Sequence, residues 1–321
     1  MVRNPLVAAA LVLSTVTVLG RQPSPQFTAN SKLVVVPTVV VDAKGAAVSG
    51  LTHEDFQVFE DGKPVMIDAF VPADPTGAPT EGGRFIVLVL DNISLRPELA
   101  QRTREIAKRF TSRMTPGDSI AAIPARGGSW SGPTTRAAAD AAIDRFKPAF
   151  GDTIRSNAED AKDGLQAIEA LTKQLAAVPH RRKVMVVIGN GYLFSPSEPS
   201  AFDDRGPWLG PEWFDAIRST TRNNFSVYVV DPRGHNPEIG LTPGATGFTI
   251  PEYAASFANE TGGEAWVNTN DYDAAVRRIW LESANYYLLG YTPPKDDGKT
   301  HKIEVRVAKP GVTVRARRAR G

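Results

Sequence analysis

Phe85–Leu90 is an unbroken apolar run that stops at Asp91. A continuous run of this length suits a strand buried on both faces, as in a parallel sheet between helices. Lys183–Ile188 and Phe225–Val230 repeat the pattern and end at Gly189 and Asp231, and Ser119–Pro124 is a shorter-chained version of it. Between these runs the period changes to that of a helix. Leu99, Ile106, Phe110 and Met114 form one stripe over residues 97–114, and residues 136–146 read as a second helix. Ser156 with Glu159 three residues on has the form of a capping box, opening a helix that carries Leu165, Ile168, Leu171 and Leu175. Residues 211–221, 251–261 and 271–284 are further helices, and Gly262-Gly263 stops the second of them before a short strand at 265–267. Strand and helix in alternation predict an α/β fold, a doubly wound and mostly parallel sheet with helices on both faces.

The two ends of the chain have a different pattern. Residues 27–75 form a β-rich arm with a valine-rich strand at 33–41. In the same arm Phe56, Val58, Val65 and Ile67 alternate around Glu60-Asp61-Gly62-Lys63, which predicts a hairpin. Residues 74–83, with two prolines and three glycines, read as a linker, and a short edge strand is expected around Trp130 within 127–133. Residues 285–318 form the second arm, with strands at 286–291, 302–307 and 312–317. Either arm alone is too small to bury a useful core. The expected solution is that the two pair into one β-sandwich, with the α/β domain of residues 84–284 inserted between them.

Composition narrows the function. A chain of 321 residues with 42% apolar and 22% charged residues is ordinary globular protein. A net charge of +2 gives no sign of a nucleic-acid binder, and the absence of cysteine removes disulfides, thiolate metal sites and cysteine nucleophiles together. Residues 1–20 read as a signal peptide, with Arg3 before an apolar core at 6–19 and small residues at Val18-Leu19-Gly20. The expected location is therefore the periplasm or beyond the cell. No later segment is apolar for long enough to span a membrane once the signal is cleaved.

Nothing in the sequence assembles a catalytic set, and the expectation is a protein that is not an enzyme. The four histidines, His53, His180, His235 and His301, lie in no short metal-ligand spacing. Gly128-Ser129-Trp130-Ser131-Gly132 imitates a nucleophile elbow with its second serine one place late. Asp91 stands at the carboxyl end of a parallel strand, where open α/β sheets bind ligands, although it equally well only ends the strand or caps the next turn. Asp231 has the same position on a later strand. In the tail, the alternation of Val312, Val314 and Ala316 places Arg315 and Arg317 on an outward face, followed by Arg318 and Arg320.

Several phrases add to this order of elements. They are Val39–Val41 with Asp42 and Gly45, Gly50-Leu51-Thr52-His53-Glu54-Asp55-Phe56, Phe59-Glu60-Asp61-Gly62, the Phe85–Leu90 run with Asp91, and Pro116-Gly117-Asp118. Towards the end come Glu260-Thr261-Gly262-Gly263, Asn268-Thr269-Asn270-Asp271 and Tyr286-Tyr287-Leu288-Leu289-Gly290-Tyr291. Together they resemble the von Willebrand factor A-type (vWA) domain, and more closely the VWFA-related proteins common in Acidobacteria.

That resemblance implies a metal-ion-dependent adhesion site at the carboxyl edge of the sheet. Its usual ligands are an Asp-x-Ser-x-Ser motif after the first strand, a loop threonine, and an aspartate at the end of a later strand. They would hold Mg²⁺ and leave a position for a partner's carboxylate. Here Asp91 matches, but the two motif serine positions are Ile93 and Leu95, and Ser94 is displaced by one. Thr153 fits the loop threonine, and the strand-end aspartate falls on Asn190. Losing one of two carboxylates weakens the attraction for a divalent cation. The expectation is a degenerate site of Asp91, Ser94, Thr153 and Asn190, used to bind a protein partner at the sheet edge. Its rim would be residues 92–96, 127–133, 191–210 and 231–248, where Tyr192, Phe194, Phe202 and Trp208 either mark a recognition surface or fold back to cover the sheet edge. A working Mg²⁺ site is the alternative.

Overall fold

The computed structural model describes residues 33–73, 83–130, 135–148, 157–178, 183–189, 210–235 and 250–320. In chain order the elements are β1 (Val34–Asp42), β2 (Phe56–Glu60), β3 (Lys63–Val65), β4 (Ala69–Val71), β5 (Phe85–Leu90), α1 (Ala100–Thr111), β6 (Ser119–Pro124), α2 (Arg136–Arg145) and α3 (Asn157–Gln174). They continue with β7 (Lys183–Ile188), α4 (Gly210–Arg222), β8 (Phe225–Val230), α5 (Ile250–Thr261), β9 (Ala265–Trp266), α6 (Tyr272–Glu282), β10 (Tyr287–Tyr291), β11 (His301–Val307), β12 (Val312–Ala316) and β13 (Ala319–Arg320). The signal-peptide reading, residues 74–82 of the linker expected at 74–83, the capping serine Ser156, Thr153 and Asn190 lie outside the described residues.

The apolar runs form the middle of a five-stranded sheet in the order β6-β5-β7-β8-β9, with every pairing parallel. All residues of β5, β7 and β8 are buried, because each strand is covered on both faces. Val87, Val89, Met185, Val187, Val227 and Val229 pack with Leu165, Trp213 and Phe257 of α3, α4 and α5. The alternate set, Ile86, Leu88, Leu90, Val186 and Val230, packs with Ile106, Ile143 and Ile279 of α1, α2 and α6. A doubly wound α/β core is thus what the structure has. Residues 127–130 carry no strand, and the rest of the edge strand expected within 127–133 lies outside the described residues; Trp130 packs against the core beside Phe85.

At the foot of the sheet, Lys183 is buried and donates from Nζ to the carbonyl of Ala176, just past the end of α3, at 2.8 Å. Burial lowers its amine to about 8. An unfolded lysine keeps its proton to about pH 10.4. Between these values the unfolded chain binds the extra proton, so this residue makes stability rise with pH. Urea melts of the wild type and of Lys183→Met should converge or cross as pH rises from about 8 to about 10, with the variant relatively more stable at the lower end. Parallel pH profiles would contradict the buried amine.

The two arms interleave. One sheet has the order β12-β1-β10-β4 and the other β13-β11-β2-β3. The amino-terminal strand β1 pairs antiparallel with β10 and β12, both from the far end of the chain, and β2 pairs with β11. Val36, Val40, Phe56, Val58, Tyr287, Leu289, Tyr291 and Ile303 of the two sheets share one core. The hairpin lies where the alternation placed it, with Glu60 opposite Lys63. Asp61 and Gly62 have φ of 50° and 77°, the left-handed pair a two-residue turn requires. The three-residue strand β4, pairing with β10, has too little alternation to be read from sequence.

The sandwich docks on the amino edge of the parallel sheet, against the carboxyl ends of α4, α5 and α6. Arg317 donates to the carbonyl of Thr221 at 2.6 Å, and the amide of Arg318 to the carbonyl of Glu260 at 2.9 Å. Gly262 has φ of 82°, and a Cβ there would lie 2.8 Å from the Arg317 amide, so both the turn and the close approach need glycine. Glu282, almost fully buried, accepts from the Tyr228 hydroxyl at 2.9 Å, from Arg278 Nε, and from Arg315 Nη1 at 2.7 Å. Arg315 also pairs with Glu264 at 2.8 Å, and Arg278 reaches the carbonyl of Gly45 at 2.6 Å. The outward face assigned to Arg315 and Arg317 is therefore corrected. It is outward from the sandwich core, but the α/β unit covers it.

Candidate interaction site at the carboxyl edge

The strand order places β5 and β7, whose connections leave in opposite directions, side by side. In open α/β sheets ligands bind in the crevice outside the carboxyl ends of such a pair. Leu90 aligns with Ile188 and Ile188 with Val230, so the next residues, Asp91, Gly189 and Asp231, stand in a row along this edge. The ladder continues through them. The Asp91 amide donates to the carbonyl of Ile188 at 3.1 Å, and the Gly189 amide to that of Val230 at 3.1 Å.

Asp91 is fully buried. Its Oδ1 accepts from the amides of Ile93 and Ser94, both at 2.9 Å, and its Oδ2 accepts from the Ser94 hydroxyl at 2.7 Å. This is the turn an aspartate makes by bonding the backbone two and three residues on. A Cβ on residue 189 would lie 2.5 Å from Asp91 Cβ and 2.7 Å from Oδ2, so glycine is what lets the carboxylate lie against β7.

The two motif serine positions are hydrocarbon and buried. Ile93 is packed in the core on the α3–α5 side and Leu95 in the core on the α1–α2 side. The loop is thus pinned through both faces of the sheet, and Ser94, between the pins, turns back to Asp91. The displaced serine does reach the aspartate, which sequence alone left open. Asn92 locks the neighbouring loop. Its Oδ1 accepts from the Arg126 amide at 2.7 Å and its Nδ2 donates to the Arg126 carbonyl at 3.1 Å. Arg126 then reaches Asp163 of α3 at 2.6 Å. A groove of about 450 Å³ runs beside this rim, lined by Arg126, Gly127, Gly128, Asp163, Gln166 and Gln174.

Asp231 forms a buried pair with Arg233. The guanidinium meets both carboxylate oxygens, with Nε at 3.0 Å from each and Nη2 at 2.6 Å, and the Arg233 amide adds a bond at 2.9 Å. Arg102 of α1 donates to the carbonyls of Pro232 and Arg233 at 3.0 and 3.3 Å and holds this loop in turn. Of the histidines, His235 is exposed on this edge, while His53 and His301 belong to the sandwich. His180, Thr153 and Asn190, with residues 191–209 and 236–249 and the four aromatics named above, lie outside the described residues.

Mg²⁺ takes oxygen ligands in near-ideal octahedral geometry. Of the described positions, Asp91 and Ser94 offer oxygens, already bonded to one another and to their own loop, while 93 and 95 offer none. Two of the four expected ring positions, Asp91 and Ser94, are thus described, and each offers a side-chain oxygen.

The arrangement is that of an α/β protein with Rossmann-like winding, carried on a sandwich built from both ends of its chain. No family model matches the sequence, and no curated protein matches it. Among solved structures it is similar in fold to an aerotolerance-related membrane protein from Bacteroides fragilis, at 14% identity and a TM-score of 0.43, over 63% of this chain and 98% of that one. It is also similar to the PilB minor pilin from Streptococcus sanguinis, at 10% identity and a TM-score of 0.38, over 64% of this chain and 63% of that one. A third is the pilus adhesin SpaC from Lactobacillus rhamnosus GG, at 10% identity and a TM-score of 0.41, where the alignment covers 83% of this chain and 47% of the adhesin. Among the described residues no helix is long and apolar enough to cross a membrane.

Proposed function

We propose that this chain is an exported, non-catalytic, adhesion-type binding protein of the vWA kind, close to the VWFA-related proteins, which takes a protein partner at the carboxyl edge of its parallel sheet without depending on a bound cation. The Asp91 turn is the observation that carries this reading. Its carboxylate faces its own loop, where two amides and a hydroxyl occupy it, and Ile93 and Leu95 fasten that loop through both cores. A rim fixed by hydrogen bonds and packing needs no ion to give it shape. The sandwich sits against the opposite edge, which leaves this one for a partner. Asn92, Arg126 and the Asp163 end of α3 form the polar part of the contact surface.

A Mg²⁺-dependent reading has one observation in its favour. Ser94 Oγ and Asp91 Oδ2 lie 2.7 Å apart, as neighbouring ligands on one cation would. Calorimetric titration of Mg²⁺, Mn²⁺ and Ca²⁺ into the mature protein, with Asp91→Ala as control, separates the two. Silence with all three ions is the expected result. Binding tighter than roughly millimolar that the variant loses would establish the adhesion site instead. A protein captured from the exported fraction should then be lost by Arg126→Glu on the rim and retained by Lys302→Glu on the sandwich.

A further inference from the structure

His301 opens β11 in the sandwich and takes no part in the site above. Its Nδ1 is 2.7 Å from Asp61 Oδ2 and its Nε2 is 2.8 Å from Asp297 Oδ1. An ionised carboxylate only accepts, and a neutral imidazole carries a single N–H. Both contacts are hydrogen bonds only when both ring nitrogens are protonated. The side chain is 8% exposed, so water does not readily take the place of either partner.

The partners belong to two turns. Asp61 is in the β2–β3 hairpin turn, and its other oxygen accepts from the Lys302 amide at 2.9 Å. Asp297 is in the connection between β10 and β11, and its Oδ1 also accepts from the Lys299 amide at 3.0 Å. The remaining charged and polar groups around the ring come from the neighbouring strands. Glu60 of β2 has Oε1 at 3.7 Å from Nδ1, but Arg320 of β13 grips it through Nε and Nη2, and the Tyr291 hydroxyl of β10 donates to it at 2.7 Å. Arg317, which follows β12, is buried, and Lys302 follows the histidine. Glu60, Asp61 and His301 stand close enough to hold a metal ion. Glu60, however, is already engaged by a guanidinium and a phenol. With His301 neutral, Glu60 and Asp61 have Arg320 as their close cation and Asp297 has Lys299, and a proton on the ring adds a charge that both aspartates share.

The geometry points to His301 as a proton-operated latch, whose imidazolium clamps the connection 292–300 onto the β2–β3 hairpin and whose deprotonation lets that connection go. The electrostatics agree in sign. Hydrogen bonds donated to Asp61 and Asp297 raise the His301 value, and the same bonds lower both aspartates. A raised histidine contributes stability fully below the ordinary imidazole value of about 6.5, and loses it as pH rises through the folded value. The lowered aspartates keep their contribution until pH falls through values below the ordinary aspartate range of about 3.9. The latch is closed between these limits and opens on the alkaline side. Arg320, which also donates to the carbonyl of Lys295 at 2.7 Å, then remains as a second tie on the same connection.

The test uses the full chain, labelled for NMR. The ring nitrogens of His301 are followed through a pH titration, and amide exchange over 295–300 is compared at about pH 6 and about pH 9 after correction for intrinsic rates. The expected result is a ring that stays doubly protonated above the ordinary imidazole value, with protection falling about tenfold or more at the alkaline end. His301→Gln should be poorly protected at both pH values. Should that variant fold badly, Asp297→Asn on the exposed turn should move the opening to lower pH and leave the hairpin intact. A ring that titrates at or below the ordinary imidazole value, or protection that ignores pH, overturns the latch. So does Zn²⁺ that displaces the ring proton at equimolar amounts, which would make the cluster a metal site.

Discussion

Glu282→Ala is expected to destabilise the protein by about 3–5 kcal/mol, the usual result of removing one partner from a buried ion pair. The substitution leaves the Arg278 and Arg315 guanidiniums and the Tyr228 hydroxyl without their common acceptor. Glu282 itself is 1% exposed, so little water enters to replace it. The loss falls on the junction, because Arg315 comes from β12 of the sandwich and Glu282 from α6 of the inserted domain. Urea denaturation followed by near- and far-ultraviolet circular dichroism is expected to show one transition in the wild type and two in the variant. Replacing Glu282 and Arg315 together by methionine should recover only part of the loss, since Arg278 and the Tyr228 hydroxyl still lack their acceptor. A single transition within about 1 kcal/mol of wild type in Glu282→Ala would mean that the network carries no coupling.

Asp91→Ala is expected to cost about 3 kcal/mol, from two buried amides and a hydroxyl that lose a charged acceptor. Ser94→Ala removes one of these bonds and should cost about 1 kcal/mol. Thermal melts of the two variants and their double mutant make the comparison. The double mutant should cost less than the sum, because the Ser94 hydroxyl and Asp91 Oδ2 bond each other. Strict additivity, or a loss of stability in the wild type when Mg²⁺ is chelated, would mean that Asp91 works through an ion and not through its own loop.

The sandwich and the site differ in how far sequence carries. The hairpin at Asp61-Gly62 and the buried strands β5, β7 and β8 are local statements. A left-handed turn needs particular residues, and a strand covered on both faces needs an unbroken apolar run. Both were legible. Asp91 was legible as a strand-end carboxylate, but its role was not, because the partner of Ser94 depends on how Ile93 and Leu95 are anchored. Arg315 and Arg317 show the opposite failure. Strand alternation gave their side correctly and could not show that another domain covers it.

By itself, then, the sequence determined the α/β alternation, the two β-rich arms, the hairpin and the position of an aspartate at the end of the central strand. These follow from periodicity and turn chemistry, which act over a few residues. Tertiary structure alone decided that β1 lies between β10 and β12, that Glu282 joins the two parts, that Asp91 bonds inward against Gly189, and that His301 stands between two aspartates. Each of these brings together groups distant in sequence or sets the direction of a side chain. That outcome depends on which buried polar atoms find partners once the whole core has closed.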